Sequence, residues 1–300
     1  MRSTIDLDCI RNIGSWLMLA IASVFLLSCV STMGCVGCTS ESSLITSPWH
    51  LKPQESFGLV IVEIEMTPSL CEWQDEPSKV CHIKDMSMPK KVVKSVGSSV
   101  VVGHNKSESK TYILTAAHVC HEKQTIAVTA KSPEGKIANV LIKKKVSKIL
   151  VSDYFGKERE ANLYRLDVPN DLCLITTQDI WGNPFKVSPR DPVVGEKTYN
   201  VAAPHRIWSA GMVLMMDGYY SGKSSSNMYH YTIPARPGSS GSPILNREGK
   251  IVGVVQRAVM NFENLAISTS TQAIREIIST IPKETEVNVP LHTKLEVFTL

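Results

Sequence analysis

Apolar and polar positions alternate along most of the chain in short runs separated by turn residues, from Phe57 to Ile281. Phe57 to Met66 (Phe-Gly-Leu-Val-Ile-Val-Glu-Ile-Glu-Met) predicts a first strand. Thr67 to Lys94 is polar, carries Pro68, Pro77 and Pro89, and is expected to be a surface insertion. Val96 to Gly103 and Thr111 to Thr115 predict a hairpin around Asn105-Lys106-Ser107-Glu108-Ser109. Gln124 to Ala130 and Lys136 to Val151 follow around Ser132-Pro133-Glu134-Gly135, and Asp171 to Thr176 completes a first set. After a connection marked by Pro184, Pro189 and Pro192, a second set comprises Lys197 to Ala203, Gly211 to Met216, Met228 to Ile233, Ser242 to Leu245 and Lys250 to Gln256. Thr271 to Ile281 has the helical period, with Ala273, Ile274, Ile277 and Ile278 on one face. Many short strands and little helix predict an all-β protein of closed antiparallel barrels with a C-terminal helix.

The amino-terminal forty residues break this pattern. No charge occurs between Asn12 and Ser40, Trp16 to Val30 is strongly apolar, and Arg2 and Arg11 precede it. An export signal or membrane anchor is expected there, so residues 1–40 are set apart from the fold. The stretch is long enough to span a bilayer if uncleaved. Leu26-Leu27-Ser28-Cys29 also resembles a lipoprotein signal, although Asp6 and Asp8 weaken its positive flank. Residues 41–56 read as a linker, 57–283 as one domain and 284–300 as a tail. The expected location is therefore outside the cytoplasm, periplasmic or extracellular, with membrane contact through the first segment if it is retained or lipidated.

The formal net charge of the 300 residues is only +4. The densest basic run, Lys143-Lys144-Lys145 with Lys148, has no accompanying aromatic set, so it reads as a solvated strand face rather than a nucleic-acid surface. Cys71 and Cys81 have a spacing that suits a local disulfide in an exported protein. With His82 as their single nearby partner they do not read as a metal site. Cys173, between Leu172 and Leu174, reads as a strand packing residue.

Three stretches carry chemistry. Arg236-Pro237-Gly238-Ser239-Ser240-Gly241-Ser242-Pro243 places serines among glycines in a tight loop, where backbone amides can converge on an oxyanion. Tyr112-Ile113-Leu114-Thr115-Ala116-Ala117-His118 delivers a histidine where a strand runs into a short helix. Asn170-Asp171-Leu172-Cys173-Leu174-Ile175 sets a carboxylate at the mouth of an apolar strand. A serine hydroxyl becomes nucleophilic when a histidine takes its proton, and the histidine needs a carboxylate to fix its tautomer.

Taken in chain order, His118 first, then Asp171, then the serine loop, these motifs resemble the chymotrypsin-like (trypsin-fold) serine endopeptidases. Their style is closest to HtrA/Deg-type bacterial and viral members, without the PDZ domain for which fewer than twenty residues after Ile281 leave no room. The resemblance implies two six-stranded barrels. It implies His118 as base, Asp171 rather than Asp167 as its partner, and Ser240 rather than Ser239 or Ser242 as nucleophile. The amides of Gly238 and Ser240 would form the oxyanion hole, with no cofactor and no metal. Pro234, Ala235, Arg236, Gln256 and Ala258 would contact substrate. Pro234 stands where a trypsin has its aspartate, so small or medium apolar residues are expected rather than Lys or Arg. Ser239 replaces the aspartate that pairs with a freed amino terminus in digestive relatives, and no Ile-Val-Gly-Gly begins the domain, so that activation switch is not expected. Cys120 departs from the family's usual disulfide position, leaving a bond to Cys71 or Cys81, or a free thiol. The function expected is hydrolysis of protein or peptide substrates. A silent binding module on the same fold and an esterase are the alternatives, and nothing in the sequence fixes an oligomeric state.

Overall fold

A computed structural model describes residues 48–73, 81–84, 89–121, 125–131, 137–259, 262 and 264–282. The expectations for residues 1–40 and 284–300, and the side chains of Cys71 and Cys81, lie outside the described residues. Residues 48–56, expected as linker, form two short 3-10 turns, and Trp49 packs edge-on against Tyr199 at 5.1 Å.

The first half comprises β1 (Phe57–Trp73), β2 (Cys81–Lys84), β3 (Lys91–Asn105), β4 (Lys110–Ala116), the single turn of helix α1 (Ala117–Cys120), β5 (Thr125–Lys131), β6 (Ile137–Asp153), β7 (Glu158–Asp167) and β8 (Leu172–Gln178). Its sheet order is β2-β1-β3-β4-β8-β7-β6-β5, and β1 also pairs with β6. That extra pairing closes β1, β3, β4, β8, β7 and β6 into a six-stranded antiparallel barrel, with β2 and β5 appended. The second half comprises β9 (Lys197–Ala202), β10 (Trp208–Ser209), β11 (Met212–Lys223), β12 (Tyr229–Tyr231), β13 (Pro243–Leu245), β14 (Ile251–Ala258), β15 (Ala266–Ser268) and helix α2 (Thr271–Ile278). Pairing of β11 with β9 closes a second six-stranded ring, leaving β10 outside. The expected double barrel with a C-terminal helix is what the chain forms.

Unbroken apolar runs mark strands buried on both faces. On β3, β4 and β8, Val101, Ile113, Cys173 and Ile175 point into the first barrel. Their neighbours Val100, Val102, Leu114, Leu172 and Leu174 instead join Leu245, Ile251 and Val254 of the second barrel and Ala273, Ile274 and Ile277 of α2. That second cluster is the seam between barrels, and β4 and β8 carry the chemistry-bearing motifs to it. Ser270 caps α2, its hydroxyl accepting from Ala273 N at 3.1 Å.

Two expectations change. Thr67 to Lys94 is not a mere surface insertion, since β1 continues to Trp73, β2 pairs with it, and β3 begins at Lys91. Pro68 is tolerated because β1 leaves β3 after Met66 and meets β2 only from Leu70, so at Pro68 it pairs with β6 alone. Strand β7 was not expected, because Glu158 to Asp167 is charged and largely exposed and buries only Ala161 deeply.

Candidate functional site

Strand β4 ends at the extended Ala116, and the chain turns into α1 with His118 in its second position. The turn is tied to the head of β8: Ala117 N donates to Asp171 O at 3.1 Å, and His118 N donates to Asp171 Oδ1 at 2.9 Å. His118 Nδ1 lies 2.9 Å from Asp171 Oδ2 and 3.1 Å from Oδ1. Asp171 adopts φ 50°, a left-handed conformation that aspartate tolerates better than most side chains. Asp167, the competing carboxylate, is spent on the preceding turn, where it accepts from Asn170 N at 3.2 Å and from Asn170 Nδ2 at 2.8 Å. The structure therefore brings Asp171, and not Asp167, to the histidine. With Nδ1–H given to the carboxylate, Nε2 is the nitrogen left to accept a proton.

The serine loop is shaped by Gly238 and Gly241, at φ 99° and 88°. A Cβ on Gly238 would sit 2.5 Å from Ala203 O, so both conformation and space demand glycine there. Two tight turns fold the loop: Ser239 N donates to Arg236 O at 2.8 Å and Ser242 N to Ser239 O at 3.0 Å. The first barrel then grips it through Ser98 of β3. Ser98 N donates to Ser240 O at 2.7 Å, Ser98 Oγ donates to Gly238 O at 2.8 Å, and the same hydroxyl accepts from Ala203 N at 3.0 Å. The three serines are thereby distinguished. Ser239 is buried and its hydroxyl accepts from Arg236 N; Ser242 is buried and its hydroxyl accepts from Asn200 Nδ2. Ser240 alone of the three is partly exposed, its Oγ donating to Gln256 O at 3.5 Å. No hydrogen bond joins it to the His118 ring among the described residues; such contacts commonly tighten only when substrate binds. The amides of Gly238 and Ser240 likewise have no acceptor among the described residues.

Of the expected substrate contacts, Ala235 is buried and Pro234 and Arg236 are half-buried beside the loop, with Ala258 at the end of β14. Gln256, on β14, reaches across the seam. Its side chain is buried and donates through Nε2 to Asn170 O, across the seam and next to Asp171. It therefore links the two halves of the site.

Sequence reasoning also missed a disulfide. Cys120 and Cys173 are bonded within the core of the first barrel, so Cys173 is not a mere packing residue and Cys120 is not free. The bond joins the residue two past His118 to the residue two past Asp171, clamping the one-turn helix to β8. That parallel offset from the two motifs was the available signal.

A model of the trypsin-like peptidase domain matches residues 97–254. HtrA-like serine proteases of Staphylococcus aureus, from strains bovine RF122 / ET3-1, USA300 and COL, are 27% identical over 217 residues. The match covers 69% of this chain and 26% of theirs, so the chain spans about a quarter of the length of these curated relatives. A crystal structure of the serine endoprotease from Yersinia pestis superposes with a TM-score of 0.50 at 15% identity, over 76% of this chain and 63% of that one, which supports the fold. Since the domain match covers more than half of the chain, from Gly97 beside the loop to Val254 of β14, and reaches into both barrels, the chain belongs to the trypsin-like peptidase domain family.

Proposed function

We propose that the chain is a serine endopeptidase acting through His118, Asp171 and Ser240. The observation that carries this reading is the pairing of an exposed histidine, its Nδ1 held by a carboxylate, with a loop whose one partly exposed serine has an amide that, like that of Gly238, meets no acceptor among the described residues. In the reaction, His118 Nε2 takes the Ser240 proton as Oγ attacks the peptide carbonyl. Asp171 keeps the imidazole in the Nδ1–H tautomer and stabilises the imidazolium. The amides of Gly238 and Ser240 hold the negative oxygen of the tetrahedral intermediate. His118 then protonates the departing amine, leaving an acyl ester on Ser240 that water hydrolyses by the same steps.

The loop needs no freed amino terminus in this account, because Ser239 is buried and bonded within the loop and Ser98 holds the rest. Small or medium apolar side chains suit the acyl half of the substrate, beside Pro234, Ala235 and Ala258. The Cys120–Cys173 bond supports an oxidising, extracytoplasmic location. The segment read as signal or anchor lies outside the described residues, and among those described no helix is long and apolar enough to cross a membrane.

The test is turnover of matched peptide and ester substrates by the full-length chain and by Ser240→Ala. The expected result is peptide cleavage that falls on the order of 10⁴–10⁶-fold in the variant. Ester cleavage without peptide cleavage would make the protein an esterase. No turnover of either by the folded chain would leave the silent binding module.

A further inference from the structure

Beside the Gly238 turn, a cavity of about 390 Å³ is lined by Lys94, Ser95, Val96, His205, Arg206, Pro237 and Gly238. Its wall is an unusual piece of backbone. His205 and Arg206 are consecutive non-glycine residues in the left-handed region, at φ 51° and 62°. Such strain persists only where the surroundings enforce it and gathers at functional sites. Here it is enforced by His205 N donating to Pro237 O at 2.7 Å and Arg206 N donating to Ala203 O at 3.1 Å. The Arg206 guanidinium is then anchored over the start of β3, with Nη2 donating to Lys94 O at 3.0 Å.

The charges around this cavity do not cancel. Lys94 Nζ is paired with Glu63 Oε1 at 3.0 Å. Arg206 is exposed, and its side chain donates to a neutral carbonyl; among the described residues no carboxylate lies within ion-pair distance of it. A guanidinium fixed at one edge keeps a planar set of N–H donors matched to a carboxylate.

We propose that this cavity is a subsite for the leaving-group half of the substrate and selects an acidic side chain one or two residues beyond the scissile bond, read by Arg206. The proposal rests on the peptidase reading with Ser240 as nucleophile. If Pro234 to Arg236 and Ala258 take the acyl half, the chain beyond the cleaved bond passes over Gly238 on the other flank, towards Arg206 and Lys94.

The test is digestion of an equimolar peptide library by the full-length chain, with cut sites mapped by mass spectrometry. Asp and Glu should be enriched over Asn and Gln at one of the first two positions after the cut by roughly three- to ten-fold, the scale of a partly exposed charge-assisted pair. The enrichment should shrink in about 1 M salt, where the screening length is about 3 Å. Asn and Asp tolerate the left-handed backbone at position 206, so Arg206→Asn and Arg206→Asp change the charge with little added strain. Arg206→Asn should bring the ratio near one, and Arg206→Asp should turn the preference to Lys and Arg. Cuts without acidic enrichment would overturn the subsite and leave the peptidase standing. Enrichment that survives in both variants would overturn Arg206 as its reader. No cuts at all would overturn the peptidase reading and the subsite together.

Discussion

The two barrels share a ring of six antiparallel strands, yet they hold their halves of the site by different means. The first has an aliphatic interior around Val60, Val62, Val101, Ile113 and Ile175, strands as long as 17 residues, and a covalent bond behind its histidine. The second has strands as short as three residues and an interior built on Tyr220, Tyr229 and Tyr231, with the Tyr220 ring 5.4 Å from Tyr229 and 5.1 Å from Tyr231. On the first barrel a side chain is positioned against a side chain, His118 against Asp171. On the second the geometry is main-chain geometry, imposed by two left-handed glycines and by Ser98 reaching across the seam. The histidine is thus secured within its own barrel, whereas the serine loop depends on its neighbour.

The largest expected effect falls on the side-chain half. Asp171→Asn keeps the shape but favours the wrong histidine tautomer, and turnover should drop by about 10⁴-fold. Steady-state rates at neutral pH check this, and a loss under ten-fold would mean that the carboxylate does not set the tautomer. Replacing both Cys120 and Cys173 by alanine should lower stability by about 4 kcal/mol, the chain-entropy value for a loop of 53 residues. Urea unfolding measures it; an unchanged midpoint would show that the clamp adds nothing to the aliphatic barrel.

Ser98→Ala tests the dependence of the second half on the first. Removing a buried hydroxyl that serves Gly238 O and Ala203 N should cost about 2–3 kcal/mol. Turnover should fall more than substrate affinity, because the Gly238 and Ser240 amides loosen while the rest of the cleft remains. Equal loss in both would point to general unfolding instead. The smallest effect, a loss of stability confined to high pH, concerns the tyrosines. Burial pushes the phenols of Tyr231, Tyr229 and Tyr220 above their ordinary value, and Asp191 beside Tyr229 adds to this. The unfolded chain therefore loses these protons first. Their contribution to stability is complete below about pH 10, the ordinary phenol value, and is lost as pH rises through the folded range. Unfolding midpoints at pH 8, 10 and 11 should be level and then fall; a level series throughout would contradict the buried cluster.

What was legible in the sequence follows the same division. Strands β3, β4 and β8 announce themselves because both of their faces are buried, one in a barrel and one in the seam. Strand β7 is silent because it closes the ring with a largely solvated face. Strand β11 was expected to stop at Met216, yet it runs through Asp217 and Gly218 to Lys223, held by β9 and then β12. Strand β15, only three residues long, offered no period to detect. At the site, His118, Asp171 and Ser240 stood in recognisable local motifs. Gln256 did not, because its bond to Asn170 spans 86 positions and arises only when β14 meets the head of β8. The disulfide was hidden for the same reason, since its cysteines are 53 positions apart.

The central claim is that Ser240, poised by the second barrel, is activated by the histidine of the first. Its most direct measurement is labelling of the full-length protein with a fluorophosphonate, followed by mapping of the modified residue by mass spectrometry. The account predicts a single stoichiometric adduct on Ser240, slowed by several orders of magnitude in His118→Ala although the serine itself is intact. An adduct on Ser239 or Ser242, or labelling of Ser240 that is indifferent to His118, would contradict it.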